Sequence, residues 1–331
     1  MFHTIICDML GIRYPILQGA MQGGGGVELV AAVSTAGGLG ILPTFGGTED
    51  ALRADIAAVR ARTDKPFGVN ITAMGRGFTE SRARICIDLG VPIVTTGRAD
   101  PGEVAVRLMK DAGITVLSVI PTVAHAKRMV EEGVDAVIAS GCEAGGHVGS
   151  VATFPLVPQV VDAVDVPVLA TGGISDARGF LAALALGTVG VQIGTLFMAT
   201  AESGLNAWGI DRLIEMAETD TVVTKAMTGA TVRCIATPEL IAYEAVLRDG
   251  ASKDELAGLR RAARAGRHPP DDADRRQSAA GQIAGMIREV RPVGDLIEDI
   301  IHEAARLAER MPGLARGAAK PVRERIESNA G

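Results

Sequence analysis

Short apolar runs alternate with amphipathic segments over the first two-thirds of the chain, and this alternation constrains the fold more than any other feature. Strands that are apolar throughout are buried on both faces, as in a parallel sheet covered by helices. The intervening segments have helical spacing, with Thr48 and Asp176 as expected N-caps. The eight runs are "PILQGAM" (15–21), "LGILPT" (39–44), "FGVNIT" (67–72), "PIVTTG" (92–97), "TVLSVIP" (115–121), "DAVIASG" (135–141), "PVLATGG" (167–173) and "GVQIGTLF" (190–197).

Eight such units predict an α/β fold of the (β/α)8 TIM-barrel class. An open doubly wound sheet is the alternative, but it usually has fewer strands and a G-x-G-x-x-G sequence after its first strand. The first run here leads into "GAMQGGGGVEL", which lacks that spacing. We therefore expect a closed barrel.

After residue 198 the alternation gives way to helical patterns separated by proline and glycine. We expect residues 1–200 to form the barrel and residues 201–331 to form a helical region that packs with it, over or beside the mouth. The patterns are "WGIDRLIEMAE", "PELIAYEAVLRDG", "SKDELAGLRRAARAG", "SAAGQIAGMIREV" and "VGDLIEDIIHEAARLAERM".

Composition excludes several classes of function. The 331 residues carry a formal net charge of −6 and no stripe of basic and aromatic residues, which argues against nucleic acid as a partner. The four cysteines form no C-x-x-C pair, so neither a zinc site nor a disulfide framework is indicated. The first residues, "MFHTIICDMLGIRYPIL", carry charges within their apolar pattern, so we expect no signal peptide, and no long uncharged apolar run occurs in the sequence. We expect a cytoplasmic protein with no membrane span and no metal.

Two glycine-containing turns follow the seventh and eighth runs, where TIM barrels commonly bind phosphate through backbone N–H groups. Gly172 and Gly173 lie in "TGGIS", and Gly194 and Thr195 lie in "IGTLF". Tight turns without a ligand are the alternative for a single pair. Two pairs on both phosphate loops predict a phosphate-bearing ligand.

Neutral hydrogen-bonding residues end the earlier strands: Met21 and Gln22 after the first, Asn70 at the third, and Thr95 and Thr96 at the fourth. Few cations and no carboxylate cluster accompany them, which favours an uncharged planar heterocycle over a sugar phosphate. A flavin mononucleotide (FMN) has one phosphate, a polar pyrimidine edge and an apolar ring system, and it fits these groups.

The stretch "GCEAGGHVGS" follows the sixth run. We therefore expect it at the mouth of the barrel, the opening formed by the carboxyl ends of the strands, together with the residues above. Its glycines, among them Gly145 and Gly146, allow the loop to fold tightly against a ligand, with His147 in reach of a substrate. A histidine with an ordinary pKa is largely neutral at pH 7 and can accept a proton. We expect Glu143 to fix the loop or bind a cation, no thiol catalysis from Cys142, and a structural role for His125.

The chain resembles the nitronate monooxygenase (2-nitropropane dioxygenase) superfamily of FMN-dependent TIM-barrel oxidoreductases, which includes FMN-dependent enoyl-ACP reductases. The segments that carry the resemblance are "PILQGAMQ", "AAVSTAGGLGIL", "DKPFGVNI", "IVTTG", "GVDAVIASGCEAGGHVG", "PVLATGGISDARGFLAALALG", "VQIGTLF" and "AGQIAG". The resemblance implies FMN contacts at Met21, Gln22, Asn70, Gly145, Gly146, Gly172, Gly173, Gly194, Thr195 and Gln282, the last returning from the helical region.

The chain departs from its relatives at two places. Leu196 stands where relatives commonly have an arginine, and "GGGG" at 23–26 replaces a more ordinary loop. The resemblance implies that His147 is the base for nitroalkanes in a monooxygenase, or a contact for NAD(P)H or substrate in a reductase.

Three functions remain open. They are oxidation of alkyl nitronates with O2, which we rank first; NAD(P)H-dependent reduction of an enoyl thioester (ACP or CoA) or a quinone; and flavin binding without turnover. We expect a small-molecule substrate and leave a homodimer open.

Overall fold

The structure is a computed structural model that describes residues 2–21, 23–44, 47–72, 76–250, 252–265 and 279–315. Its strands are β1 (Ile16–Gln18), β2 (Gly40–Pro43), β3 (Phe67–Ile71), β4 (Ile93–Thr96), β5 (Thr115–Ile120), β6 (Ala136–Ser140), β7 (Gly146–His147), β8 (Val168–Thr171), β9 (Gly190–Ile193), β10 (Thr221–Thr224) and β11 (Val232–Ile235).

Eight of these strands form one parallel sheet in the order β1-β9-β8-β6-β5-β4-β3-β2. A parallel bridge between Leu17 and Leu39 joins the two outer strands and closes the sheet. All residues of β3 and of β6 are buried, as expected for strands covered on both faces. The predicted TIM barrel is confirmed, and the open doubly wound sheet is excluded.

Helices alternate with the barrel strands and continue after them. They are α1 (Ile5–Leu10), α2 (Val27–Thr35), α3 (Glu49–Arg60), α4 (Arg76–Asp88), α5 (Glu103–Asp111), α6 (Val123–Glu131), α7 (Thr153–Val161), α8 (Ala177–Ala185), α9 (Thr195–Met198), α10 (Ala207–Glu215), α11 (Pro238–Arg248), α12 (Lys253–Ala265) and α13 (Val293–Ala315), with a 3₁₀ helix at Gln282–Met286 before α13.

The expected caps are present. The Thr48 hydroxyl accepts the N–H of Ala51 at 3.1 Å, and the Asp176 carboxylate accepts the N–H groups of Arg178 and Gly179 at 2.9 and 3.2 Å. These bonds satisfy N–H groups that a helix start leaves without a partner. Asp176 thereby fixes where α8 begins after the turn that contains Gly172 and Gly173.

Helix α13 lies against α2 and α8 in the ring of helices around the barrel. Its Val293, Ile297 and Ile301 are buried in the same hydrophobic core as Val33 and Phe180. The end of the chain that the structure describes is therefore packed onto the barrel wall, while α10 to α12 lie between β9 and α13 in sequence. The domain boundary at residue 200 stays a prediction.

Strands β7, β10 and β11 form a separate antiparallel sheet in the order β10-β11-β7. The helical patterns after residue 198 did not indicate this hairpin. Two further expectations are wrong in detail. The run at 190–197 is a strand only to Ile193, since Thr195–Met198 is a short helix, and "SAAGQIAGMIREV" contains a 3₁₀ helix rather than an α-helix. Among the described residues, no helix combines the length and apolarity required to span a membrane.

Candidate active site

The predicted site residues follow the carboxyl ends of the barrel strands, where TIM barrels carry their chemistry. An open groove of about 610 Å³ lies at the other end, lined by residues such as Leu10, Arg60, Lys65 and Thr115. Its walls include the start of β5 and the turns that precede the strands. Residues at that end serve stability in this fold. We therefore place the candidate active site at the carboxyl end, around the loop that follows β6.

Two contacts tie the loop after β6 to the β10–β11 hairpin. His147 and Gly146 pair with Val232 and Arg233 in antiparallel register. The Arg233 side chain, which is 8% exposed, donates from Nε to the carbonyl of Cys142 and from Nη1 to the Thr221 hydroxyl, both at 2.8 Å. The hairpin therefore sets the position of His147 through backbone pairing and through a charged hydrogen bond to the same loop.

Glu143 anchors the loop after β6 to the start of α7. Both of its carboxylate oxygens accept the backbone N–H of Thr153 at 3.0 Å, and the Thr153 hydroxyl lies 3.0 Å from Oε2. The same hydroxyl lies 2.8 Å from the carbonyl of Gly172. A carboxylate at a helix start is also stabilised by the helix dipole. This arrangement is that of a residue that fixes the loop, one of the two roles expected for Glu143.

Residues 280–282 return to the mouth between the loops that follow β6 and β9. The N–H of Gln282 donates to the carbonyl of Glu143 at 2.9 Å, and the N–H of Gly281 donates to the Thr195 hydroxyl at 2.9 Å. A Cβ on Gly281 would lie 2.7 Å from the Glu143 carbonyl oxygen, and one on Gly145 would lie 2.8 Å from Ala280. Glycine is therefore required on both sides of this contact.

The two predicted phosphate loops lie at the ends of neighbouring strands, since β8 pairs with β9. Gly172 and Gly173 have φ values of 97° and 76°, which residues with a Cβ rarely adopt. Within the ranges that the structure describes, the backbone N–H groups of Gly172, Gly173 and Gly194 donate to no protein acceptor. Unpaired N–H groups at a loop are available to a ligand anion.

Of the residues expected around a heterocycle, the structure describes Asn70 and Met21 but not Gln22. Asn70 is 6% exposed, and its Nδ2 donates to the Thr95 hydroxyl at 2.9 Å while its Oδ1 accepts from Thr72 at 3.2 Å. Met21 is half-buried, and its Sδ would lie 3.7 Å from a Cβ on Gly194, so the loops after β1 and β9 meet. Gln22 lies outside the described residues.

Two polar side chains, those of Thr96 and His125, do not take part in the candidate site. Thr96 is fully buried and donates to the Ser118 hydroxyl at 2.9 Å between β4 and β5. His125 is 9% exposed in the first turn of α6, where burial, followed by the charge of Arg128, lowers its pKa. Neither is brought into contact with His147 by the described hydrogen bonds.

His147 is exposed at the mouth, and its Nε2 lies 3.4 Å from the Thr228 hydroxyl, a weak hydrogen bond at most. Partial burial and then the positive charge of Arg98 lower the pKa of His147. The imidazole is therefore neutral at pH 7, the form that accepts a proton. No group of three or more His, Cys, Asp or Glu suited to a metal occurs in the described parts of the chain.

Sequence reasoning missed two arginines of this site, Arg98 and Arg233. Arg98 lies two residues after β4 and donates from Nη2 to the carbonyl and hydroxyl of Ser140 at 3.2 and 2.7 Å. The position of Arg98 in the loop after a barrel strand was the available signal for it. The position of Arg233 in "TVRCI", which alternates like a strand, was the signal for the hairpin.

A sequence model of the nitronate monooxygenase family matches residues 3–80 and 74–303. A protein of Staphylococcus aureus described as "Probable nitronate monooxygenase" is 34% identical over 306 residues, covering 78% of this chain and 86% of that protein. The protein described as "(3aS,4S,5R,7aS)-5-hydroxy-7a-methyl-1-oxo-octahydro-1H-indene-4-carboxyl-CoA dehydrogenase" from Mycobacterium tuberculosis is 40% identical over 238 residues, 71% of this chain. This chain spans only 66% of that dehydrogenase.

Solved structures agree with the fold over nearly the whole chain. FabK from Thermotoga maritima superposes with a TM-score of 0.86 at 38% identity, covering 95% of this chain and 100% of that one. Nitroalkane oxidase from Streptomyces ansochromogenes superposes with a TM-score of 0.77 at 29% identity, covering 92% of this chain and 99% of that one.

Proposed function

The chain belongs to the nitronate monooxygenase family, and from this premise we propose that it is an FMN-dependent oxidoreductase that acts on alkyl nitronates. The relatives named above are oxidoreductases by their descriptions, and the family model covers most of the chain. The observation that carries the proposal is a neutral, exposed His147 held at the same mouth as two loops with unpaired N–H groups.

The residues present fit FMN on structural grounds. The unpaired N–H groups of Gly172, Gly173 and Gly194 would hold the phosphate at the ends of β8 and β9. The N–H groups of Arg178 and Gly179 at the start of α8 would not be available to the phosphate, because the Asp176 carboxylate already accepts both. We therefore assign the phosphate to the turns themselves, with Thr195 fixing the second turn through Gly281.

The flavin ring would lie between the loops after β1, β3 and β6. Asn70 offers an amide held in place by Thr95 and Thr72, so its remaining acceptor capacity has a fixed direction. Met21 offers an apolar surface beside Gly194. We propose Gln22 and Gln282 as further contacts, along with Gly145 and Gly146 in the loop after β6.

When bound, FMN supplies an acceptor for two electrons and a route to O2. The chain itself supplies the proton chemistry. The neutral imidazole of His147 would take the proton from the carbon next to the nitro group of a neutral nitroalkane, and a preformed nitronate would need no such step. The hairpin and residues 280–282 border the mouth through their hydrogen bonds to the loop after β6, and they would limit access of water to the reacting atoms from that side.

A second candidate is reduction of an acyl thioester, and similarity favours it. The FabK match has the higher identity and TM-score of the two superpositions given above. The M. tuberculosis relative is described as acting on a carboxyl-CoA compound. In this alternative, the role of His147 is to contact the nicotinamide or the thioester, and NAD(P)H is the co-substrate.

Anaerobic mixing separates these functions. FMN-loaded protein would be mixed in turn with propyl-2-nitronate, NADH and NADPH, and the flavin absorbance followed. Our proposal predicts rapid bleaching by the nitronate and recovery of colour on admitting O2. Bleaching by NADH or NADPH alone, followed by oxidation with an enoyl-CoA, would establish the reductase instead. A flavin that none of these donors bleaches would contradict both and leave flavin binding without turnover.

A further inference from the structure

Arg98 reaches across the mouth of the barrel. It follows β4, yet its guanidinium donates to Ser140, the last residue of β6. Strand β5 lies between β4 and β6 in the sheet, and neighbouring strands are about 4.8 Å apart. The side chain must therefore extend about two strand spacings, over the end of β5, to reach its acceptors. This course puts a cation over the opening rather than on the outer surface.

The charge of Arg98 is not neutralised by the described residues. Both of its hydrogen bonds come from Nη2 and end on uncharged oxygens of Ser140, so its Nε and Nη1 groups have no acceptor among the residues that the structure places. Guanidiniums on α6 and α8 differ: Arg128 pairs with Asp100 at 3.1 Å, and Arg178 pairs with Asp176. A desolvated cation without a counter-ion is costly, and an anion beside it recovers part of that cost.

The surroundings of Arg98 connect it to the reacting end of the site. Its charge lowers the pKa of His147, after the larger effect of burial, and the Cys142 thiol is within electrostatic reach on the same loop. Burial lowers the pKa of Arg98 itself to about 10, which still leaves it charged at neutral pH. The guanidinium, held at the end of β6 by Ser140, thus lies within electrostatic reach of the neutral imidazole on the loop that follows the same strand.

We propose that Arg98 is the residue that binds the negatively charged oxygen of the substrate next to His147. The parallel N–H groups of a guanidinium match a planar group with two oxygens, and a nitronate carries such a group. In a thioester substrate, the same donors would face the carbonyl oxygen on which negative charge develops. This inference rests on the proposed function, because it takes the mouth around His147 as the active site.

Nitrate is a planar anion that tests Arg98 without any turnover. We would titrate FMN-loaded protein with sodium nitrate by isothermal calorimetry and compare Arg98→Gln with Arg107→Gln. Arg107 is an exposed arginine on α5, paired with Glu103, so it matches the loss of charge without touching the mouth. We expect nitrate to bind about 10- to 100-fold more weakly to Arg98→Gln, the usual effect of losing a charged hydrogen bond, and unchanged to Arg107→Gln.

Kinetics identify which oxygen is bound and separate this inference from the proposed function. The KM for propyl-2-nitronate should rise in Arg98→Gln with FMN content unchanged, and a rise only for crotonyl-CoA would assign the thioester oxygen. Arg98→Lys keeps the charge but not the paired N–H groups and should recover part of the affinity; it decides the matter if Arg98→Gln does not fold.

If the wild-type protein turns over the nitronate, yet the wild type and Arg98→Gln bind nitrate equally well, this inference alone is overturned. Wild-type protein that binds no nitrate would overturn it as well. If nitrate binding depends on Arg98 but no nitronate is oxidised, the anion site stands and the proposed function fails.

Discussion

The Nε–H of Arg233 donates to the carbonyl of Cys142 at 2.8 Å, across 91 residues of sequence. Through this bond the β10–β11 hairpin holds the loop that carries His147. We expect Arg233→Leu to lower the free energy of unfolding by about 2–3 kcal/mol, because two acceptors lose a charged donor. We also expect a lower kcat with FMN retained. Urea denaturation and steady-state assays would measure both, with the exposed Arg248→Leu as the control.

A hairpin that merely covers the mouth would give a different result for Arg233→Leu. Its stability would fall while the activity per folded, flavin-loaded molecule stayed at the wild-type value. That outcome would contradict a role for Arg233 in positioning His147.

Gly281→Ala tests the contact between residues 280–282 and the loop after β6. Its Cβ would lie 2.7 Å from the Glu143 carbonyl oxygen and 3.2 Å from the Thr195 hydroxyl, so these elements must separate. We expect weaker FMN binding, by about 10-fold or more, as Thr195 loses its partner. Gly258→Ala is the matched control, because nothing lies within 4 Å of its Cβ position. Equal FMN dissociation constants for the two variants would remove Gly281 from the flavin site.

Gly194 allows a test of the phosphate loop by charge alone. A Cβ there meets only the Met21 sulfur at 3.7 Å, an ordinary contact distance, so a Cβ is accommodated without a clash. Gly194→Asp and Gly194→Asn differ in charge but hardly in size, and like-charge repulsion should weaken FMN binding to the Asp variant by about 100-fold relative to the Asn variant. Gly172 is less suitable, since its φ of 97° strains any substitution. Fluorescence titration with FMN would give both constants, and matching values would place the phosphate elsewhere.

The pH dependence of nitroalkane oxidation should report His147. Burial and then Arg98 lower the pKa of this base, so kcat/KM for the neutral nitroalkane should fall as the pH falls, with a midpoint below the ordinary histidine pKa of about 6.5. Arg98→Gln removes the positive charge and should move the midpoint upward. A midpoint that Arg98→Gln leaves in place would show that the titrating group is not His147.

Loss of the base should affect two substrates differently. We expect His147→Ala to keep FMN and to slow the neutral nitroalkane by about 10²- to 10⁴-fold, the usual range for a lost general base. The preformed nitronate needs no proton removal and should be slowed much less. Stopped-flow reduction of the flavin by each substrate would separate the two effects. Equal slowing of both would indicate that His147 positions the substrate instead.

The sequence predicted the barrel because each strand buries both faces, and this requirement shows as an uninterrupted apolar run. It also located the loops at the carboxyl ends of the strands, among them the turn with Gly172 after β8 and the loop with His147 after β6. It did not predict the hairpin, whose short strands lie among helical patterns. The hydrogen bonds of Arg98 and Arg233 were not predicted either, because their acceptors lie 42 and 91 residues away in the sequence. Hydrogen bonds between residues so far apart in sequence leave no pattern that identifies the two partners.

If the mouth of this barrel binds FMN, the purified protein should carry that flavin, and the decisive measurement is the identity and amount of its chromophore. Denaturation, followed by chromatography of the released flavin, would give both. We predict a yellow protein that releases one FMN per chain, because the N–H groups of Gly172, Gly173 and Gly194 have no acceptor among the residues that the structure describes. A colourless protein that cannot be loaded with FMN, or one that releases FAD, would contradict it.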